Sequence, residues 1–98
     1  MRFVVSKRAR AHIESSQAWW ATNRDARALF VEELEAAERA IRANPHVGVV
    51  YATHDTGDVR RILLPKTKHH LYYRYRADRD EVTVLAVWGA PRSRGPKL

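Results

Sequence analysis

If this 98-residue chain cleaves RNA, His70 is the side chain best suited to move the proton, and Arg74 or Arg92 to stabilise the charge on the phosphate. An imidazole titrates near neutrality and serves as general acid or base, while a guanidinium stabilises charge building on a phosphoryl oxygen. More cations lie nearby: Arg60, Arg61, Lys66, Lys68 and Arg76 belong to the same stretch, and Arg92, Arg94 and Lys97 follow it. Alternation along a strand puts Arg74 and Arg76 on one side with Tyr72, and a cationic face with an interleaved aromatic can hold phosphates and stack a base. The competing account is that strands simply turn charge towards water. His69 and His70 are adjacent, hence on opposite faces of a strand, and with His12, His46 and His54 they form no recognised metal-ligand spacing. Neither a metal nor another cofactor is expected. The chain has no cysteine, which excludes disulfides, redox dithiols and thiolate zinc sites and makes a reducing cytoplasm the expected setting.

The charge is unevenly shared. Residues 1–58 carry eight basic and eight acidic groups, whereas residues 59–98 carry ten basic against three acidic and so hold the whole net charge of +7. Such asymmetry points to an anionic partner, whether nucleic acid, nucleoprotein or an acidic protein segment. The opening Met1-Arg-Phe-Val-Val-Ser-Lys-Arg8 has too short an apolar run for a signal peptide, and no stretch approaches the roughly 18 apolar residues of a membrane span. No membrane partner is expected.

A chain of this length can build one modest core, and the apolar pattern says how. Arg2-Phe-Val-Val reads as a short strand, with Ser6 as the N-cap of a helix running to about Ala21. On that helix Ala9, Ile13, Ser16 and Trp20 form a narrow inward stripe, and Trp19 lies off it as an exposed anchor for a partner. Thr22 or Asn23 is expected to re-cap the chain, with Asp25 at the positive end of a second helix. Ala26, Phe30, Leu34, Ala37 and Ile41, joined by Leu29, give that helix its apolar face, and Asn44-Pro45 stops it. Residues 46–58 read as a connection whose extended piece, Val47–Tyr51, crosses the sheet.

Beyond it the period changes to two. Strands are predicted over 59–64, 69–77 and 81–88, with turns at 65–68 and 78–80, pairing as an antiparallel meander. In the middle strand Leu71, Tyr73 and Tyr75 face the core while Tyr72, Arg74 and Arg76 face away. The last strand, Val82 to Trp88, is apolar on both faces, as a central strand covered on both sides must be. Residues 89–98 form an irregular basic tail. The expected architecture is α+β, a β-α-α-β-β-β order in one domain over 1–98, with a helical hairpin on one face of a mainly antiparallel twisted sheet.

That order, together with Val59-Arg-Arg-Ile-Leu-Leu-Pro65, His70-Leu-Tyr-Tyr-Arg-Tyr75 and Glu81-Val-Thr-Val-Leu-Ala-Val-Trp-Gly-Ala90, resembles the RelE/ParE superfamily of bacterial type II toxin–antitoxin toxins over nearly the whole chain. The resemblance implies a growth-inhibiting toxin neutralised by an acidic antitoxin, ParD-like or other. RelE-like members cleave mRNA in the ribosomal decoding site, whereas ParE-like members act on DNA gyrase. Ribosome-dependent members typically place an Arg at or near the position of His70, another soon after the glycine matching Gly89, and a Tyr further on. Here Gly89 is followed by Ala90-Pro91, then Arg92 and Arg94, and no Tyr follows Tyr75. The departure leans towards a ParE-like inhibitor that binds gyrase and stabilises its DNA-cleavage intermediate, with no covalent chemistry of its own. Arg92, Arg94, Lys97, Arg74 and Arg76 are then the expected target contacts, and Trp19, Arg60, Arg61 and Tyr72 the expected antitoxin contacts. The alternative is a ribosome-dependent mRNA endonuclease using His70, Arg74 and Arg92. A second alternative is a non-toxic nucleic-acid-binding module on the same scaffold.

Overall fold

The computed structural model describes residues 1–23, 28–89 and 95–98. Strand β1 (Arg2–Val5) leads into helix α1 (Lys7–Asn23), and helix α2 (Leu29–Ala43) is followed by strands β2 (Val49–Ala52), β3 (Val59–Leu64), β4 (His69–Arg76) and β5 (Glu81–Gly89). A single 3₁₀ turn, Ala77–Arg79, joins β4 to β5. The strands form one sheet in the order β1-β5-β4-β3-β2, with β1 parallel to β5 and every other pair antiparallel. This is the expected α+β layout, two helices on one face of a mainly antiparallel sheet.

Local chemistry sets the boundaries. The Ser6 hydroxyl accepts a bond from the Ala9 N–H at 3.1 Å, satisfying an orphan donor of the first helical turn. The Ser6 N–H donates to the Val84 carbonyl at 3.0 Å, so the cap also fastens the helix start to β5. The stripe on α1 is realised: Ala9 is fully buried, and Ile13 and Trp20 pack against the core formed by Phe30, Ala37, Ile41 and the inward residues of β3 to β5. Phe30 and Trp20 are thus core residues. Asn44 adopts extended backbone where α2 ends.

Thr22 is not at the N-cap of α2, which is Ala28. Thr22 lies inside α1, and its hydroxyl donates to the carbonyls of Ala18 and Trp19 at 3.1 and 3.2 Å. A threonine in a helix interior bonds back to the preceding turn as readily as it caps the next one. The expected roles of Asp25 and Ala26 fall outside the described residues. Ala28, before α2, makes no side-chain cap.

The extended piece before β3 does not cross the sheet. It is an edge strand, paired with β3 through Val49 opposite Arg61 and Val50 opposite Arg60. Its entry is held by Tyr73, whose hydroxyl donates to the Pro45 carbonyl at 2.8 Å and accepts from the Gly48 N–H at 2.9 Å. A Cβ on Gly48 would come within 2.8 Å of the Tyr73 ring and hydroxyl, so only glycine lets the backbone approach this closely. Glu33 makes the corresponding tie on the other side. Its carboxylate accepts from the Lys66 and Thr67 N–H groups and the Thr67 hydroxyl at 3.0, 2.8 and 2.8 Å, anchoring α2 to the β3–β4 turn.

Opposite Tyr72 and Tyr73 the ladder slips by one residue on β5, from Ala86 to Val84. This bulge leaves Leu85 unpaired and lets Leu85 and Ala86 both join the outer apolar cluster, while Val82, Val84 and Val87 stay inside. β5 is apolar on both sides for that reason.

Candidate functional site

The sheet face turned away from the helices carries most of the chemistry. Register puts Arg61 opposite Tyr72, Val59 opposite Arg74, and Leu63 opposite His70, and directly paired residues share a face. That outer face therefore gathers His70, Arg74 and Arg76 from β4 with Arg61 from β3. Arg61 lies over the Tyr51 ring, its guanidinium carbon 5.3 Å from the centroid, and Tyr51 meets Tyr72 edge-on at 4.8 Å. Arg76 is partly neutralised by Asp78 at 3.4 Å. The Arg74 Nε is buried and has no hydrogen-bond partner among the described residues. Such a donor is costly to leave unmet.

Burial, reinforced by the charge of Arg61, lowers the pKa of His70 below its ordinary value. The imidazole is accordingly neutral at pH 7, fit to accept a proton and not to donate one from a cationic ring. Its place relative to Arg74 is less favourable for shared chemistry. Four residues along a strand separate them by about 13 Å of backbone, with Tyr72 between. Tyr72 is 1% exposed, packed with Val59 and Ala86 beneath Tyr51 and Leu98. It supports the face from below, and in this conformation it offers no ring to a base or to an antitoxin.

The other expected site residues scatter. Arg60 points to the opposite side from Arg61, where its guanidinium donates to the carbonyls of Gly48 and His46 at 2.8 and 3.2 Å. It fastens the chain before β2 and does not form a pair with Arg61. Trp19 is 47% exposed at the far end of α1, where it meets Trp20 edge-on. It borders a cleft of about 380 Å³ shared with Ser16, Thr67, Lys68 and His69, on the helix side. His69 faces inward, 3.3 Å from the Ser16 hydroxyl, and His70 outward, as their adjacency requires. Arg92 and Arg94 lie outside the described residues. Among the described residues no group of His, Asp and Glu is placed to hold a metal ion, and no helix is long and apolar enough to cross a membrane.

One feature of this face has no counterpart in the sequence reading. Residues Gly95–Leu98 lie on it as a strap. The Tyr51 hydroxyl donates to the Pro96 carbonyl at 2.9 Å, Arg8 donates to the Lys97 carbonyl at 3.0 Å, and the His54 Nε2 sits 2.8 Å from the Leu98 carbonyl oxygen. Pro96 is buried, Leu98 packs against the Val59, Tyr72 and Ala86 cluster, and Lys97 stays exposed. These contacts use backbone carbonyls, which every residue has, so side-chain patterns carried no signal of them.

Comparison with known proteins agrees with this architecture. Residues 3–93 match the family described as the ParE toxin of the type II toxin-antitoxin system, parDE. A chain of the archaeal RelE–RelB complex from Pyrococcus horikoshii OT3 superposes with a TM-score of 0.68 at 11% identity, over 94% of this chain and 97% of that one. A YoeB/ParE toxin from Agrobacterium tumefaciens gives 0.60 at 18% identity, over 91% and 98%. A chain of the chromosomal ParDE system of P. aeruginosa gives 0.59 at 11% identity, over 91% and 95%. No curated protein sequence matches the chain significantly. The chain belongs to the ParE toxin family of type II toxin-antitoxin systems.

Proposed function

We propose that this member of the ParE toxin family arrests growth by binding DNA gyrase and stabilising its cleaved-DNA intermediate, with no bond made or broken by its own residues. The observation that carries the reading is the state of the outer sheet face. His70 and Arg74 flank a buried tyrosine, and the strap of Gly95–Leu98 lies on the same face. A phosphodiester would not meet a converged acid, base and cation there. Target contact then falls to the cationic groups that remain, Arg74, Arg76 and Lys97, with Arg92 and Arg94. Partnership with an antitoxin is supported by the RelE–RelB and ParDE relatives, whose names describe such pairs. An acidic segment reaching Arg61 on one face and Trp19 at the end of α1 suits the charge distribution.

Purified protein, DNA gyrase and relaxed plasmid test this directly. Lost supercoiling with accumulated double-strand breaks is the expected result, and full supercoiling at excess folded protein would reject it. The second reading, mRNA cleavage on the ribosome, is favoured by the neutral imidazole of His70 beside Arg61. His70→Ala separates the two, since gyrase inhibition should survive the change and ribosome-dependent cleavage should not.

A further inference from the structure

We infer that Gly95–Leu98 is a latch that holds the protein in a less active form, and that an anionic target opens it. The inference rests on the gyrase reading for its target and on geometry for the latch.

The strap is held by side chains from separate parts of the fold: Arg8 on α1, Tyr51 on β2, and His54 in the β2–β3 connection. It also fits closely, because a Cβ on Gly95 would collide with the Tyr51 phenol. Electrostatics works against it. The strap carries the exposed Lys97 and rests on the face that presents Arg61, Arg74 and Arg76, so like charges share one side of the sheet. An anionic surface reverses that balance. It attracts Lys97 away from the face and meets the cations the strap leaves behind, among them Arg74, whose Nε has no hydrogen-bond partner among the described residues. A ligand that binds only the open form shifts the equilibrium towards it, and its apparent affinity is reduced by the closed fraction.

Two variants loosen the latch by different means. Tyr51→Phe removes the bond to Pro96 while keeping the ring under Arg61, and Gly95→Ala drives the strap from the phenol by collision. Opening is read without gyrase, from the ¹H–¹⁵N heteronuclear NOE of the Gly95, Lys97 and Leu98 amides. High values in the unaltered protein and low values in both variants are expected. In the gyrase assay both variants should reach half-maximal trapped cleavage at a concentration lower by about fivefold or more. The latch is overturned if the unaltered protein already shows low NOE values at these amides. It is equally overturned if the variants free the strap and potency is unchanged or lower. Should neither the unaltered protein nor the variants trap gyrase, the gyrase reading has failed and the latch is judged by induction in cells. Growth arrest at a lower inducer level in the variants supports it, and arrest at equal levels rejects it. Should Gly95→Ala fold poorly by circular dichroism, Tyr51→Phe decides alone.

Discussion

Tyr73 shows how much a single hydroxyl can hold. Fully buried between the helices and the sheet, it is the shared partner of the Gly48 N–H and the Pro45 carbonyl. Burial raises its pKa, an effect that the bond from Gly48 and the charge of Arg60 only partly offset. Tyr73→Phe should preserve the ring packing but strand a buried donor and acceptor, at a cost of about 1–3 kcal/mol by urea denaturation. The residues that control the outer face were unevenly legible. Alternation alone assigned Tyr72, Arg74 and Arg76 to one side, because side-chain direction in a strand has period two. The same rule separates Arg60 from Arg61, yet the burial of Tyr72 depends on Tyr51 and Leu98, which come from distant parts of the chain. Glu33 went unnoticed for a related reason. A glutamate on an amphipathic helix looks like any solvated charge until the turn it caps is folded against it.

At the scale of elements, Glu33 is the link between α2 and the β3–β4 turn, and it makes that link depend on pH. Burial tends to raise its pKa, but bonds from the Lys66 and Thr67 N–H groups and the Thr67 hydroxyl outweigh this, and the net shift is downward. A depressed carboxylate pKa contributes stability that is fully present above the unfolded value, about 4.3, and is lost as pH falls through the lower folded value. Glu33→Gln should therefore lower the melting temperature at pH 7, with the gap to the unaltered protein closing below about pH 4. The elements themselves were read from periodicity where the pattern was long. Helix α1 and strands β3 to β5 appear close to their expected bounds because their stripes are repeated several times. Strand β2 has four residues flanked by Pro45, Gly48 and Gly57, too few for a period to establish itself. Its pairing with β3 is a tertiary fact, fixed by Tyr73 and Arg60. Capping and back-bonding draw on the same hydroxyl, so residue type alone does not separate them at Thr22.

For the whole molecule, the excess of cations in residues 59–98 becomes a matter of faces. Arg61, Arg74 and Arg76 share the outer side, while Arg60 is used internally. Arg61→Glu places an acid over Tyr51 in the centre of that side, and it should weaken binding to a cognate acidic antitoxin by about tenfold or more in a titration. Because exposed charges are screened within about 8 Å at physiological salt, the loss should shrink as salt is raised. A variant bound as tightly as the unaltered protein at every salt concentration would remove this face from the antitoxin contact.

The parallel seam between β1 and β5 has a consequence for the timing of synthesis. Among the described residues β1 has no strand neighbour other than β5, and Arg2 finds its partners at the start of that strand, its N–H on the Asp80 carbonyl at 2.9 Å and its side chain 3.6 Å from the Glu81 carboxylate. β5 lies inside the sheet, between β1 and β4, and supplies Val82, Val84 and Val87 to the core against which α1 packs. A nascent chain therefore carries its first strand and helix for nearly its whole length before their partner is made, and such distant pairing is slow to form. A ribosome-stalled chain ending before Glu81 should be digested throughout by a nonspecific protease, whereas the released protein should resist. The toxin fold is thus complete only once its last strand has been made, and until then the first strand and helix remain open to any other surface that can pack against them.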